Sequence, residues 1–105
     1  MHPARWLELY GAGPGTAVLS LTHHPAIDDL TVSEAVNTNA FYIGAMGSTS
    51  NSDKRRQRLR DIMECSEADI ARLHAPIGLK IGSKTPAEIA ISIMAQIISI
   101  RNACH

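Results

Sequence analysis

The residues of this sequence best able to do chemistry lie in two glycine-bearing stretches, Gly44-Ala45-Met46-Gly47-Ser48 and Pro76-Ile77-Gly78-Leu79-Lys80-Ile81-Gly82-Ser83-Lys84-Thr85. The first leaves an apolar run, Ala40-Phe41-Tyr42-Ile43, and leads into a polar segment with helical spacing, the order strand, loop, helix. Glycines there let a ligand approach the backbone closely, and the free N–H groups of the following helix favour an anion. At 3.6 residues per turn Arg55 falls on the side of Leu59 and Ile62, from which it could reach a crevice at the sheet edge. The same residues also have a plain reading, in which Gly44 and Gly47 serve packing and Lys54, Arg55, Arg56, Arg58 and Arg60 form a solvated basic face. The second stretch brings Gly78, Gly82, Lys80 and Lys84 to a helix N-terminus capped at Thr85, which is either a second anion site or an ordered loop with solvated lysines.

Thr22-His23 closes the apolar run Ala17-Val18-Leu19-Ser20-Leu21. In a parallel sheet it shares a carboxyl edge with Gly44, where such sheets bind ligands. His23 could hydrogen-bond a ligand or move a proton near neutral pH, or it could simply cap the strand end. Gly11-Ala12-Gly13-Pro14-Gly15 imitates the opening of a dinucleotide-binding loop, but a strand follows it where a helix is required, and position 16 is Thr. A turn is the better reading. His24, His74 and His105 are not at metal-ligand spacing, Cys65 and Cys104 form no CxxC pair, and no metal site is expected. Cys65 reads as a small hydrophobe near a helix end.

The elements that must position these groups alternate. Ala17 to Leu21 and Ala40 to Ile43 are the two evident strands. A short helix lies between them, with Asp28 and Asp29 in its first turn, closing near Asn37. A polar helix is expected from within Ser48 to Ser52 to about Glu64, with Leu59, Ile62 and Met63 on one face. Ser66-Glu67-Ala68-Asp69 caps another short helix through Leu73, which Pro76 ends. Thr85-Pro86-Ala87-Glu88 supplies an N-cap, a proline at the first helical position and a reciprocal glutamate, so a helix runs from Pro86 to about Ala103. That helix is apolar nearly all round, from Ile89 to Ile100, and needs cover on more than one side, from another chain or from sequence not present here.

At 105 residues the chain holds one domain, residues 1–105. Its 10 Lys+Arg balance 10 Asp+Glu, and 45% of residues are hydrophobic, which argues against disorder and against a general nucleic-acid binder. The apolar stretch Ile89 to Ile100 is broken by Ser92, Gln96 and Ser99 and falls short of the ~20 residues that cross a bilayer. No leader is evident, so a cytoplasmic setting is expected, with no membrane partner.

Thr22-His23, Asp28-Asp29, Tyr42-Ile43-Gly44-Ala45-Met46-Gly47-Ser48, Arg55, Leu59 and above all the long stretch Pro76 to Ile93 resemble the C-terminal Rossmann-like domain of the XdhC/CoxI family. The resemblance covers nearly everything from Thr16 to Arg101, and it implies an α/β fold. What is expected is a partial Rossmann-like, doubly wound three-layer unit with a short parallel sheet, lacking the first strand and its glycine loop. By the same resemblance the chain is an accessory protein for molybdenum hydroxylases such as xanthine dehydrogenase, and is not itself an enzyme. It would bind the molybdenum cofactor (molybdopterin), support its sulfuration and deliver it to the apoenzyme. Thr22, His23, Gly44, Met46, Gly47, Ser48, Arg55, Gly78, Gly82, Lys84 and Thr85 would then line the ligand crevice. Family members carry Asp where this chain has His24, and a basic residue where it has Thr49, which weakens contacts to an anionic ligand. Two other readings are an NAD(P)-binding oxidoreductase fragment, and a non-catalytic remnant that folds by pairing; a homo-oligomer is expected from the apolar last helix.

Overall fold

A computed structural model describes residues 15–21 and 25–103. Three parallel strands, β1 (Ala17–Ser20), β2 (Tyr42–Ala45) and β3 (Leu73–His74), pair in that order. Helices α1 (Pro25–Ala35), α2 (Thr49–Asp61) and α3 (Glu67–Ala71) fill the crossovers, and α4 (Pro86–Ala103) follows the last strand. The architecture is the expected α/β unit with a short parallel sheet.

Alternation along the strands builds the layers. Val18, Ile43 and Leu73 are in register and, with Ala45, face α1 and α2, where Val32, Ala35 and Leu59 complete the core with Ile70 of α3. Tyr42 points the other way, to α4, and its hydroxyl donates to Oε1 of Gln96. All four residues of β2 are buried, as a central parallel strand covered on both faces must be.

Side-chain caps set the helix starts. Ser48 Oγ accepts from Asn51 N at 3.1 Å, and Ser66 Oγ from Asp69 N at 3.1 Å. At α4, Thr85 Oγ1 accepts from Glu88 N at 3.2 Å, while the Glu88 carboxylate accepts from Lys84 N at 2.8 Å, one residue before the position a standard capping box uses. The helix starts at Pro86, as its sequence predicts.

Four expectations are corrected. The sheet has a third strand. The short helix stops at Ala71, two residues before the expected Leu73, because Arg72 donates to the carbonyls of Val36, Thr38 and Ala40 and Leu73 buries itself beside Ile43. Sheet pairing thus overrides local helix propensity. The second strand is shifted two residues later than Ala40 to Ile43, its register held by Phe41 N donating to Thr16 O and Met46 N to Ser20 O. Finally, α2 ends at Asp61, where Cys65 N bonds Leu59 O and Glu64 turns to φ 56°, which leaves Ile62 68% exposed. Of α4, only Ser92 and Ile97 are buried, and Ile91, Met94 and Ile98 stand open to solvent.

Candidate functional site

The carboxyl ends of β2 and β3 open into a cleft of about 780 Å³, the position where open parallel sheets hold ligands. Its walls come from the loop after β2, at Met46 and Gly47, and from the long loop between β3 and α4. That loop turns back toward the sheet at a cis Ala75–Pro76 bond, and Ile77 N donates to Ala45 O at 3.1 Å. Gln96, one of the polar residues within the apolar stretch of α4, anchors it: its amide accepts from Gly78 N at 3.0 Å and donates to Gly78 O at 3.3 Å.

Close approach explains two of the glycines. A Cβ on Gly44 would lie 2.6 Å from Ile77 Cδ1 and 2.8 Å from the Tyr42 ring, so Gly44 lets the loop lie on the sheet. A Cβ on Gly78 would lie 2.5 Å from Ser92 Oγ, and its φ of 95° is one that side chains avoid.

Of the residues expected at a ligand site, Met46, Gly47, Gly78 and Gly82 line the cleft. Gly44 lies beneath its wall under Ile77, and Ser48 is the N-cap of α2 beside it. Thr85 Oγ1 and the backbone N–H of Lys84 are occupied in the cap of α4, and neither residue is in the lining. Thr22 and His23 fall outside the described residues, as does most of the glycine run before Gly15, which is followed by β1. Arg55 is 5% exposed and turned into an ion-pair cluster. Its guanidinium meets Asp29 at 3.3 Å and Asp28 at 3.5 Å, Arg58 adds a second bond to Asp29, and Ser20 Oγ donates to Asp28 at 2.6 Å. Nη1 of Arg55 also donates to Met46 O at 3.1 Å, so the cluster fixes one wall of the cleft. Hydrogen bonding to Asp29 raises the pKa of Arg58.

Sequence reasoning missed Arg56, His74, Ser92 and Gln96 as cleft residues. Gln96 had a signal, an amide inside the apolar stretch Ile89 to Ile100; His74 had none, because its strand is two residues long. Arg56 Nη2 donates to Ala75 O at 2.6 Å, its Nη1 lies 3.6 Å from Asp53 Oδ1, and it shares the cleft lining with Lys80. Among the described residues the lining holds these two cations and no carboxylate. Burial lowers the pKa of His74, so its ring is neutral at pH 7. Among the described residues no three His, Cys, Asp or Glu side chains gather as a metal site. No described helix is long and apolar enough to cross a membrane.

Residues 2–97 match the family model described as XdhC Rossmann domain. A Bacillus subtilis protein whose name makes it a probable subunit of xanthine dehydrogenase is 32% identical over 99 residues, 94% of this chain and 28% of its own. An Escherichia coli protein named molybdenum cofactor insertion chaperone PaoD is 28% identical over 86 residues, 82% of this chain and 27% of its own. A crystal structure of a xanthine dehydrogenase from Bacillus halodurans superposes with a TM-score of 0.74 at 32% identity, covering 98% of this chain and 28% of that one. The chain therefore spans little more than a quarter of the length of these relatives.

Proposed function

The chain belongs to the XdhC Rossmann domain family, and from that premise we propose that it is an accessory module in the maturation of a molybdenum hydroxylase of the xanthine dehydrogenase type. In this reading the cleft at the ends of β2 and β3 holds the molybdenum cofactor for delivery to the apoenzyme, and the chain itself catalyses no reaction. The observation that carries it is the cleft's charge: among the described residues its lining holds the cations Arg56 and Lys80 and no carboxylate, Asp53 pairing with Arg56 from outside the lining. When bound, the cofactor presents a reduced pterin and an anionic phosphate, and the two cations of the lining suit the phosphate.

Each part has a task. Lys80 and Arg56 neutralise the anion, and the free N–H groups at the start of α2 add partial positive charge beside Gly47. Gln96 holds Gly78 so that the second wall keeps its shape. A volume of about 780 Å³ lies within the ~300–1,000 Å³ of small-molecule sites. NAD(P) finds no matching support, since the glycine run before β1 leads into a strand.

The relatives' names support the maturation role, one as a cofactor insertion chaperone and one as part of a xanthine dehydrogenase. The exposed side of α4, with Ile91, Met94 and Ile98, supports pairing with a second copy. Light scattering tests the pairing: a dimer that Ile91→Glu dissociates is expected, and a monomeric wild-type chain contradicts it. Anaerobic titration with molybdenum cofactor tests the cleft. Saturable binding that Lys80→Glu weakens about tenfold, the size of one lost charge-assisted contact, is expected; equal binding by both chains contradicts it.

A further inference from the structure

Tyr42 and His74 form a pair that the charge of the cleft leaves unexplained. Their rings are parallel to within 2°, with centroids 4.8 Å apart. Tyr42 is the fixed inner plate: it is 1% exposed and tied at its hydroxyl to Gln96. His74 is the outer plate, half-buried and part of the cleft lining. It is paired with Gly44 across β2 and β3, and β3 is the last strand of the described sheet. Because the rings are parallel and Tyr42 stands on the β2 side, the second face of His74 turns to the side where no described strand follows.

A rigid flat plate with one face backed by an aromatic ring suits a flat ligand. Gly44 makes room for the backing ring, since Tyr42 Cε1 lies 2.8 Å from where a Cβ would stand. Burial keeps the imidazole uncharged at pH 7, so stacking desolvates no ion. Arg56 and Lys80 in the same lining would meet an anionic substituent on the ring. We infer that the face of His74 turned away from Tyr42 is the stacking platform for a planar nitrogen heterocycle, with Tyr42 as the ring behind it. This rests on the cofactor reading above, in which the heterocycle is the planar pyrimidine ring of the pterin. Parallel, offset stacking is the geometry aromatic rings prefer.

The test uses the full chain and pterin itself (2-amino-4-hydroxypteridine), followed by quenching of its fluorescence, with intact molybdenum cofactor titrated in parallel. His74→Phe keeps a flat ring and is expected to bind pterin within about threefold of the wild type. His74→Leu keeps apolar bulk but no ring, and is expected to bind about 5- to 100-fold more weakly, the range over which losing one stacked base weakens binding. In the wild-type chain, added pterin should move the His74 ring protons upfield in the NMR spectrum, a reading that does not depend on any variant folding. The stacking is overturned if those protons stay put, or if His74→Leu binds pterin and cofactor as tightly as the wild type; in that case cofactor binding survives without it. If neither pterin nor cofactor binds the wild-type chain, both readings fall.

Discussion

Gly78 sits between Ser92 and the mouth of the cleft, and its lack of a side chain is what allows that position. Gly78→Ala would place a methyl 2.5 Å from Ser92 Oγ at a φ of 95°, and overpacking plus backbone strain should cost about 2–4 kcal/mol in a denaturant melt. Gly82→Ala has the φ penalty alone, since nothing lies within 4 Å of its Cβ position, and about 1 kcal/mol is expected. Equal losses in the two variants would refute the close approach. Arg55 gives a second contrast. Its side chain is 6% exposed and faces two buried carboxylates, so Arg55→Leu should cost about 3 kcal/mol or more, whereas Arg58, 34% exposed, should cost about 1 kcal/mol or less. The sequence placed Arg55 on the inner side of its helix, and it is there. Spacing along one helix has no information about which distant carboxylates that side meets, so the pairing with Asp28 and Asp29 was not legible. In the sequence those two residues stand out as favourable charges at a helix start and as part of the family resemblance, neither of which names a partner.

His74 also gives a prediction for pH. Burial holds its folded-state pKa below the ordinary 6.5, so below about 6.5 the unfolded chain binds the proton more readily than the folded one. The contribution of the neutral ring to stability is therefore complete above pH 6.5 and is lost as pH falls toward the folded-state value. An NMR titration of the ring should show a midpoint under 6.5, and His74→Phe should flatten that part of the stability curve. A midpoint at or above 6.5 would show that the ring is not desolvated as described.

At the scale of elements, the Gln96 side chain joins three parts: β2 through Tyr42, the cleft loop through Gly78, and α4 that carries it. Gln96→Leu keeps the bulk but removes these bonds and strands the backbone groups of Gly78, so a loss of about 2–3 kcal/mol is expected. Hydrogen exchange should rise in the loop between β3 and α4 more than in α1; a uniform rise would mean that the amide serves general packing. Legibility differed sharply between elements. The helix from Pro86 was readable because its cap, its first-turn proline and Glu88 lie within four residues of one another, and such signals are local. The strand at Leu73–His74 was not, because two residues carry no periodicity, and what makes them a strand is pairing with Ile43 and Gly44 about thirty positions earlier.

At the scale of the whole molecule, sheet and helices together place two loops from distant parts of the chain at one edge. Glycines at 44 and 78 let those loops close on the sheet and on α4, and the Arg55 cluster and Gln96 brace one wall each. The resemblance implies a ligand crevice at this edge, and which of its residues line the cleft depends on groups that cap, pair or turn inward. Thr85 and the backbone N–H of Lys84 are drawn into the α4 cap, while Arg56, read in the plain alternative as part of a solvated face, and Lys80, read as part of an anion site or a solvated loop, line the cleft.

The central claim is that this cleft holds the molybdenum cofactor, and anaerobic calorimetric titration of the wild-type chain and Lys80→Glu with that cofactor tests it most directly. One saturable site, weakened about tenfold by the charge reversal, is the predicted result. Heat that does not saturate, or a site that Lys80→Glu leaves untouched, would contradict it.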